Sequence, residues 1–85
     1  MTDKVSIRST IQRVLSNVLQ DAGREIPEFS DDALLADTIH LDSLDFAVVI
    51  VNLERELGVD PFRKSTQRIR TLGELVDLYE ESVAS

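Results

Sequence analysis

An unbroken apolar run at residues 46–51, which begins just after the polar pair Asp42-Ser43, most constrains how this sequence can fold. The run is rich in valine and could by propensity form a buried strand. A helix is favoured because Asp42 can cap its start, apolar residues recur at helical spacing as far as Leu57, and Gly58 supplies a stop. We therefore predict a helix from Asp42 to Leu57. Its first turn, where the helix dipole is positive, holds Ser43 near solvent.

Two further segments show the three- and four-residue spacing of an amphipathic helix. The first runs from Val5 to Gln20, with Asp3 or Thr2 as its cap and Gly23 beyond its end. The last opens at Thr71, where a threonine followed three residues later by a glutamate predicts a capping box. These segments predict one helix near each end of the chain.

Between the first two helices, residues 23–40 break the pattern. Pro27 and the sequence Ser30-Asp31-Asp32 are typical of turns, and we predict a long loop with a short helical turn around Asp32 to Ala36. The residues expected to anchor this loop on the helices are its apolar ones, Ile26, Phe29, Leu34, Leu35 and Ile39.

The predicted fold is all-α. It is a small four-helix bundle within a single domain spanning residues 1–85, with three long helices, a long loop between helices 1 and 2, and one short helix. The short helix is expected to begin near Pro61 or Ser65, because proline is tolerated at a first helical position. The periodic positions predict a core of Ile11, Leu15, Val18, Leu53, Leu57, Leu72, Leu75, Val76 and Tyr79.

Charge and composition argue against several classes of function. The net charge of −7 disfavours nucleic-acid binding, and the sequence has no cysteine and no apolar stretch of membrane-spanning length. These features are compatible with a cytoplasmic protein. Charge is also uneven: residues 25–45 hold seven acidic and no basic residues, whereas Arg63 to Arg70 holds four basic and no acidic residues.

The sequence contains no motif for catalysis or metal binding. It lacks a glycine-rich phosphate loop, a His-x-x-x-His pair and a twelve-residue calcium loop. The single histidine, His40, precedes Ser43 by three residues, but a Ser–His dyad also needs an orienting group and an oxyanion hole. We predict no catalytic residue and no metal site, and hence a small module that is bound or modified rather than an enzyme.

The sequence Leu41-Asp42-Ser43-Leu44-Asp45 at the start of an apolar helix resembles the attachment site of acyl carrier proteins. The resemblance covers nearly the whole chain. It implies that Ser43 carries 4′-phosphopantetheine through a phosphodiester, placed there from coenzyme A by a phosphopantetheinyl transferase. It also implies that Asp42 helps the transferase engage and that Leu44 faces partner proteins. The expected function is that of a freestanding, monomeric and non-catalytic carrier of acyl thioesters.

The chain departs from the usual pattern of that family at several positions. His40 stands where glycine is usual, and Val48 stands where an outward acidic residue is common. Phe46 and Arg55 replace more polar or acidic residues, and the segment from Arg63 to Arg70 is basic. These departures predict a specialised fatty acid, lipid or polyketide-type pathway whose enzymes dock by apolar contact plus charge. The residues expected to contact them are Asp45, Phe46, Val48 and Arg55.

Two alternatives remain open from the sequence. The same arm on Ser43 could carry an aminoacyl or peptidyl group, because the serine motif does not distinguish the cargo. The chain could also be an unmodified helical interaction module in which Ser43 only begins a helix. As a carrier, it would work with an acyl- or aminoacyl-loading ligase and a downstream acyltransferase or synthase.

Overall fold

The chain folds into three α-helices in a computed structural model that describes residues 4–62 and 69–84, and the side chains of residues 6–62 and 69–83. They are α1 (Lys4–Asp21), α2 (Ser43–Leu57) and α3 (Leu72–Ala84). Helix α1 packs against both α2 and α3 in an all-α globule with a Cα radius of gyration of 11.9 Å. The all-α prediction and the three long helices are confirmed.

The predicted fourth helix is not seen. Pro61 and Phe62 lie in a turn, in which the Asp60 carboxylate accepts a hydrogen bond of 3.2 Å from the Phe62 N–H. This local bond is an Asx-turn. The other expected start, Ser65, lies outside the described residues, so the bundle has three helices in the part of the chain that the structure describes.

The helix ends follow from local sequence. Gly23 adopts a left-handed φ of 73°, and α1 closes with bonds from the Gly23 N–H to the Gln20 carbonyl and from the Arg24 N–H to the Leu19 carbonyl. This pair of bonds is a Schellman motif, which glycine permits at low steric cost. The predicted caps Asp3 and Thr2 lie outside the described residues.

At the start of α3 the predicted capping box is present. The Glu74 N–H donates to Thr71 Oγ1 at 3.1 Å, and the Glu74 carboxylate accepts from the Thr71 N–H at 3.0 Å. Backbone hydrogen bonds from Thr71 and Arg70 lower the pKa of Glu74 below its usual 4.5. The box therefore depends on the ionised form of this glutamate.

The core forms where the three helices meet. Eight of the nine predicted core residues are buried, and Leu57, at the last position of α2, is half-buried and packs against the core. At the side of the core, Phe62 contacts Phe46 and Tyr79 edge to face, with ring centroids 5.9 and 6.4 Å apart. Further buried residues that the prediction omitted are Ile7, Val14, Leu19, Ala33, Leu35, Ile39, Leu41, Val49 and Leu78.

The loop between α1 and α2 pairs with the entry to α3. The Leu35 N–H donates to the Arg70 carbonyl and the Leu72 N–H to the Ala33 carbonyl, each at 2.9 Å, around an isolated bridge between Leu34 and Thr71. Side chains alternate in such an extended pairing, so Ala33 and Leu35 are buried while Leu34 is exposed. The loop therefore forms a short extended pairing of the β-bridge type with the start of α3.

The pairing corrects two expectations for the loop. The helical turn predicted at Asp32 to Ala36 lies later, where the Thr38 N–H bonds the Leu34 carbonyl. Of the predicted anchors, Leu35 and Ile39 are buried and Phe29 is half-buried, whereas Ile26 and Leu34 are exposed. The pairing of the loop with the residues at the start of α3 decides which of residues 33–35 are buried, and the spacing of apolar residues along the chain does not predict this pairing.

An ion pair also joins the loop to α1. Arg8 Nη1 lies 2.6 Å from Asp31 Oδ1, and the hydrogen bond to Asp31 raises the pKa of Arg8. Both side chains remain partly exposed, so the contribution to stability is small. Within the described ranges, no helix is both long enough and apolar enough to cross a membrane.

Candidate functional site

Ser43 is the first residue of α2 and is exposed. Asp42 is the N-cap, with an extended backbone, and its carboxylate accepts a hydrogen bond of 2.8 Å from the Asp45 N–H. In return, Asp45 Oδ2 lies 3.4 Å from the Asp42 N–H, which completes a capping box. The prediction that Asp42 caps α2 is confirmed, and the two aspartates hold the serine at a defined helix start.

The position of Ser43 suits a group that becomes negatively charged. The first backbone N–H groups of a helix have no intrahelical acceptor, and the helix dipole is positive at this end. An anion attached to a serine at the first helical position therefore lies in a favourable field. The exposed hydroxyl is also accessible to a second protein.

Arg24 contacts this helix start from the end of α1. Its Nη1 atom lies 3.0 Å from Asp45 Oδ2, and the same nitrogen donates to the His40 carbonyl oxygen. The Asp45 side chain is only 18% exposed, so its charge is largely compensated within the molecule. Arg24 was not among the residues predicted to belong to the site. In the sequence it is the basic residue that directly precedes the acidic stretch 25–45, and this position is the one feature that could have indicated a contact with an acidic partner.

His40 adopts a left-handed backbone conformation with φ of 64°. Glycine reaches this region without strain, and histidine is among the other residues that tolerate it. The conformation explains physically why a glycine would suit this position. Among the described residues, no hydrogen bond joins the His40 side chain to Ser43, so the geometry contains no Ser–His dyad.

A cleft of about 490 Å³ opens beside Ser43. Its apolar walls include Leu34, Leu41, Phe46 and Ile69, which come from the loop, α2 and the segment before α3. Asp37, Asp42 and Arg70 supply its charged groups. Phe46, a predicted partner contact, is half-buried as one wall of this cleft and packs against Phe62.

The outward face of α2 presents an apolar stripe. Leu44, Val48 and Val51 are 74%, 43% and 58% exposed, and Arg55 is also exposed. With 100° of rotation per residue, these four positions lie within about 60° of one another on the helix. Leu44, Val48, Val51 and Arg55 are called the α2 stripe below. Val51 was not among the predicted contact residues.

The two acidic residues of α2 that face α1 are each paired with an arginine. Glu56 forms an ion pair of 2.9 Å with Arg13, at the opposite end of α2 from the pair between Asp45 and Arg24. Both acids are thereby partly neutralised beside the α2 stripe. In the described part of the chain, no cluster of three or more histidine, aspartate or glutamate side chains could hold a metal ion.

Comparison with known proteins shows the family to which the chain belongs. Residues 9–79 match the family model described as a phosphopantetheine attachment site. This match spans all of α2, the loop before it and most of α1 and α3.

Curated relatives point in the same direction. The chain is 27% identical over 70 residues to an acyl carrier protein of Rickettsia bellii, which covers 82% of this chain and 81% of the relative. It is 26% identical over 83 residues to an acyl carrier protein of Thermotoga maritima, which covers 98% and 99%. It is 35% identical over 68 residues to the acyl carrier protein MbtL of Mycobacterium bovis, which covers 79% and 81%. No solved structure matches the chain significantly.

Proposed function

The chain belongs to the family of carrier proteins with a phosphopantetheine attachment site, and we propose that Ser43 is that site in this molecule. The observation that carries the proposal is the exposed serine held by the Asp42–Asp45 capping box at the start of α2. The Ser43 oxygen bonds to the phosphorus that bears pantetheine while the phosphoanhydride bond of coenzyme A breaks. The adenosine bisphosphate half of coenzyme A leaves, and the hydroxyl proton passes to a base of the transferase. A phosphopantetheinyl transferase catalyses this step, and the carrier itself is not a catalyst.

The residues around Ser43 fit an attached phosphodiester. Its negative charge lies at the amide end of α2, where the helix dipole stabilises an anion by about 0.3–1 kcal/mol. Asp42 holds the serine at the first helical position, and Leu44 is exposed beside it. We assign Asp42 to the contact with the transferase and Leu44 to the contact with partner enzymes.

The cargo is proposed to be an acyl group, held as a thioester for a specialised fatty acid, lipid or polyketide-type pathway by a freestanding carrier. Support comes from the relatives named above, which are acyl carrier proteins. The apolar α2 stripe supports a dedicated set of partners. An aminoacyl cargo uses the same chemistry and is the second candidate.

The α2 stripe is the proposed docking surface for the loading ligase and the downstream acyltransferase or synthase. It begins next to Ser43, and its apolar side chains are exposed although they could be buried on association. Asp45 and Phe46, the other two predicted contact residues, are turned toward Arg24 and Phe62, so we assign them a smaller share of the proposed contact. Docking is thus proposed to rest on Val48, its apolar neighbours and Arg55.

Intact mass measurement tests the attachment site. The wild-type protein, incubated with coenzyme A and a broad-specificity phosphopantetheinyl transferase, should gain the mass of one 4′-phosphopantetheine. Ser43→Ala should gain none and keep the helical circular dichroism spectrum, while Ser30→Ala, an exposed serine in the loop, should behave as wild type. Modification of Ser43→Ala would place the site elsewhere, and an unmodified wild type would favour the interaction module.

The identity of the cargo needs a second measurement. Mass analysis of the protein isolated from its own host, with the thioester kept intact at mildly acidic pH, should show an acyl group on the thiol. An aminoacyl mass would favour the second candidate.

A further inference from the structure

The side chain of Arg24, just after α1, contacts the segment that presents Ser43. Arg24 Nη1 contacts Asp45 Oδ2 at 3.0 Å and donates to the His40 carbonyl, so it bonds to residues on both sides of Ser43. No sequence motif or family match assigns a task to this arginine. Its contacts nevertheless converge on the few residues that determine where the serine lies.

Arg24 is itself rigidly placed. Its backbone N–H closes the Schellman motif at the end of α1 through a 2.9 Å bond to the Leu19 carbonyl, and Leu19 is buried in the core. The guanidinium therefore extends from a fixed point. One guanidinium nitrogen, Nη1, serves both the Asp45 carboxylate and the His40 carbonyl.

The carboxylate that Arg24 holds is part of the capping box. Asp45 Oδ2 accepts from Arg24 and also closes the box toward the Asp42 N–H, across the 3.4 Å contact. That contact is long for a hydrogen bond, so the orientation of the Asp45 carboxylate depends on the arginine as well as on the box. On the other side, the bond to the His40 carbonyl fixes a residue in a left-handed conformation three positions before the serine.

We propose that Arg24 is a positioning residue for the transfer of phosphopantetheine to Ser43. This inference rests on the proposed function. Arg24 acts through Asp45 and His40, and it sets the angle at which α2 presents the Ser43 hydroxyl to the transferase. Phosphoryl transfer needs the attacking oxygen in line with the bond that breaks, so a loosened serine lowers the rate within the complex more than it weakens docking.

The chain contains a matched control. Arg13 also joins α1 to α2, through its ion pair with Glu56 at the far end of α2 from Ser43. Arg13→Gln and Arg24→Gln each remove one positive charge and one ion pair to α2, although the Asp45 side chain is less exposed than that of Glu56. Only Arg24→Gln releases the serine turn.

The experiment measures kcat and KM for modification of the apo-protein by a broad-specificity phosphopantetheinyl transferase with coenzyme A. Thermal midpoints are recorded in parallel. We expect Arg24→Gln to lower kcat roughly tenfold with KM changed less than about twofold, because small misplacements of a reacting group act on the chemical step. Arg24→Lys keeps the charge and one donor nitrogen on a side chain of different length and shape, so a smaller loss of about threefold is expected. Arg13→Gln should stay within about twofold of wild type on the same principle.

Two results would overturn the inference. One is that Arg24→Gln and Arg13→Gln have the same kcat. The other is that the whole loss for Arg24→Gln lies in KM, which would make Arg24 part of the docking surface. If Arg24→Gln does not fold, Arg24→Lys is compared with Arg13→Gln in the same way. An unmodified wild type would instead remove the proposed function and this inference with it, so the two failures are distinguishable.

Discussion

The side chain of Asp42 accepts a hydrogen bond of 2.8 Å from the backbone N–H of Asp45, two residues beyond Ser43. This single contact makes the serine the first residue of a helix and leaves its side chain at the surface. The proposed attachment site therefore lies at a helix cap. Asp45, Arg24 and the His40 carbonyl are the groups that contact one another at this cap.

The free energies of unfolding of His40 variants should follow how well each residue tolerates a left-handed backbone. His40→Gly removes the steric strain at φ of 64° but adds chain entropy to the unfolded state, so we expect the free energy of unfolding to rise by up to about 1 kcal/mol. His40→Val places a β-branched residue in this region and should lower it by about 1–2 kcal/mol. Urea denaturation of both variants and wild type measures the ranking. Equal stability of the glycine and valine variants would mean that this backbone is not left-handed.

Truncation to alanine should destabilise the protein far more at a buried position of α2 than at an exposed one. Leu53 of α2 is fully buried, and Leu53→Ala is expected to lower the free energy of unfolding by about 2–5 kcal/mol. Val51, also in α2, is exposed, and Val51→Ala should change it by no more than about 0.5 kcal/mol. Chemical denaturation measures both. Similar values for the two variants would contradict the assignment of faces on α2.

The capping box of α3 should make stability depend on pH. Hydrogen bonds lower the folded-state pKa of Glu74 below 4.5, so its contribution is present above the unfolded pKa and is lost as pH falls through the folded pKa. Glu74→Gln keeps the shape but not the charge. We expect this variant to melt below wild type at pH 7 and the gap to close under acidic conditions. A gap that does not change between pH 7 and about pH 3 would contradict the role of the charge.

Removal of the Tyr79 hydroxyl should not destabilise the fold. This oxygen is buried and has no hydrogen-bond partner among the described residues, and burial raises the pKa of Tyr79. A buried hydroxyl without a partner costs about 1–3 kcal/mol, so Tyr79→Phe is expected to match or exceed the wild-type melting temperature. A clear fall in melting temperature would show that the hydroxyl is bonded in solution.

The docking proposal predicts a loading defect when charge is placed in the α2 stripe. Val48→Glu should lower kcat/KM for loading of the pantetheinylated protein by its cognate ligase by roughly tenfold, the equivalent of one exposed apolar contact. Gln20→Glu adds the same charge at an exposed position of α1 and serves as the control. Equal rates for the two folded and modified variants would mean that the ligase docks elsewhere. The basic segment from Arg63 to Arg70 would then be the next to test.

The sequence by itself determined the three long helices, the caps at Asp42, Thr71, Gly23 and Gly58, and the serine at a helix start. These features depend on residues at most a few positions apart, so their physics is local and readable from spacing. Of the two α2 residues predicted for the core, Leu53 is buried and Leu57 is half-buried. The predicted short helix is not seen among the described residues, where Pro61 and Phe62 lie in a turn with Asp60.

Only the tertiary structure decided what surrounds the serine. The loop pairs with the residues before α3, which buries Ala33 and Leu35 and leaves Leu34 exposed. Arg24 reaches Asp45 across the gap between the ends of two helices, so a residue of the α2 cap is also paired with a residue that follows α1. Such pairings join residues 21 or more positions apart, and no periodicity along the chain encodes them, because they exist only once the helices have packed.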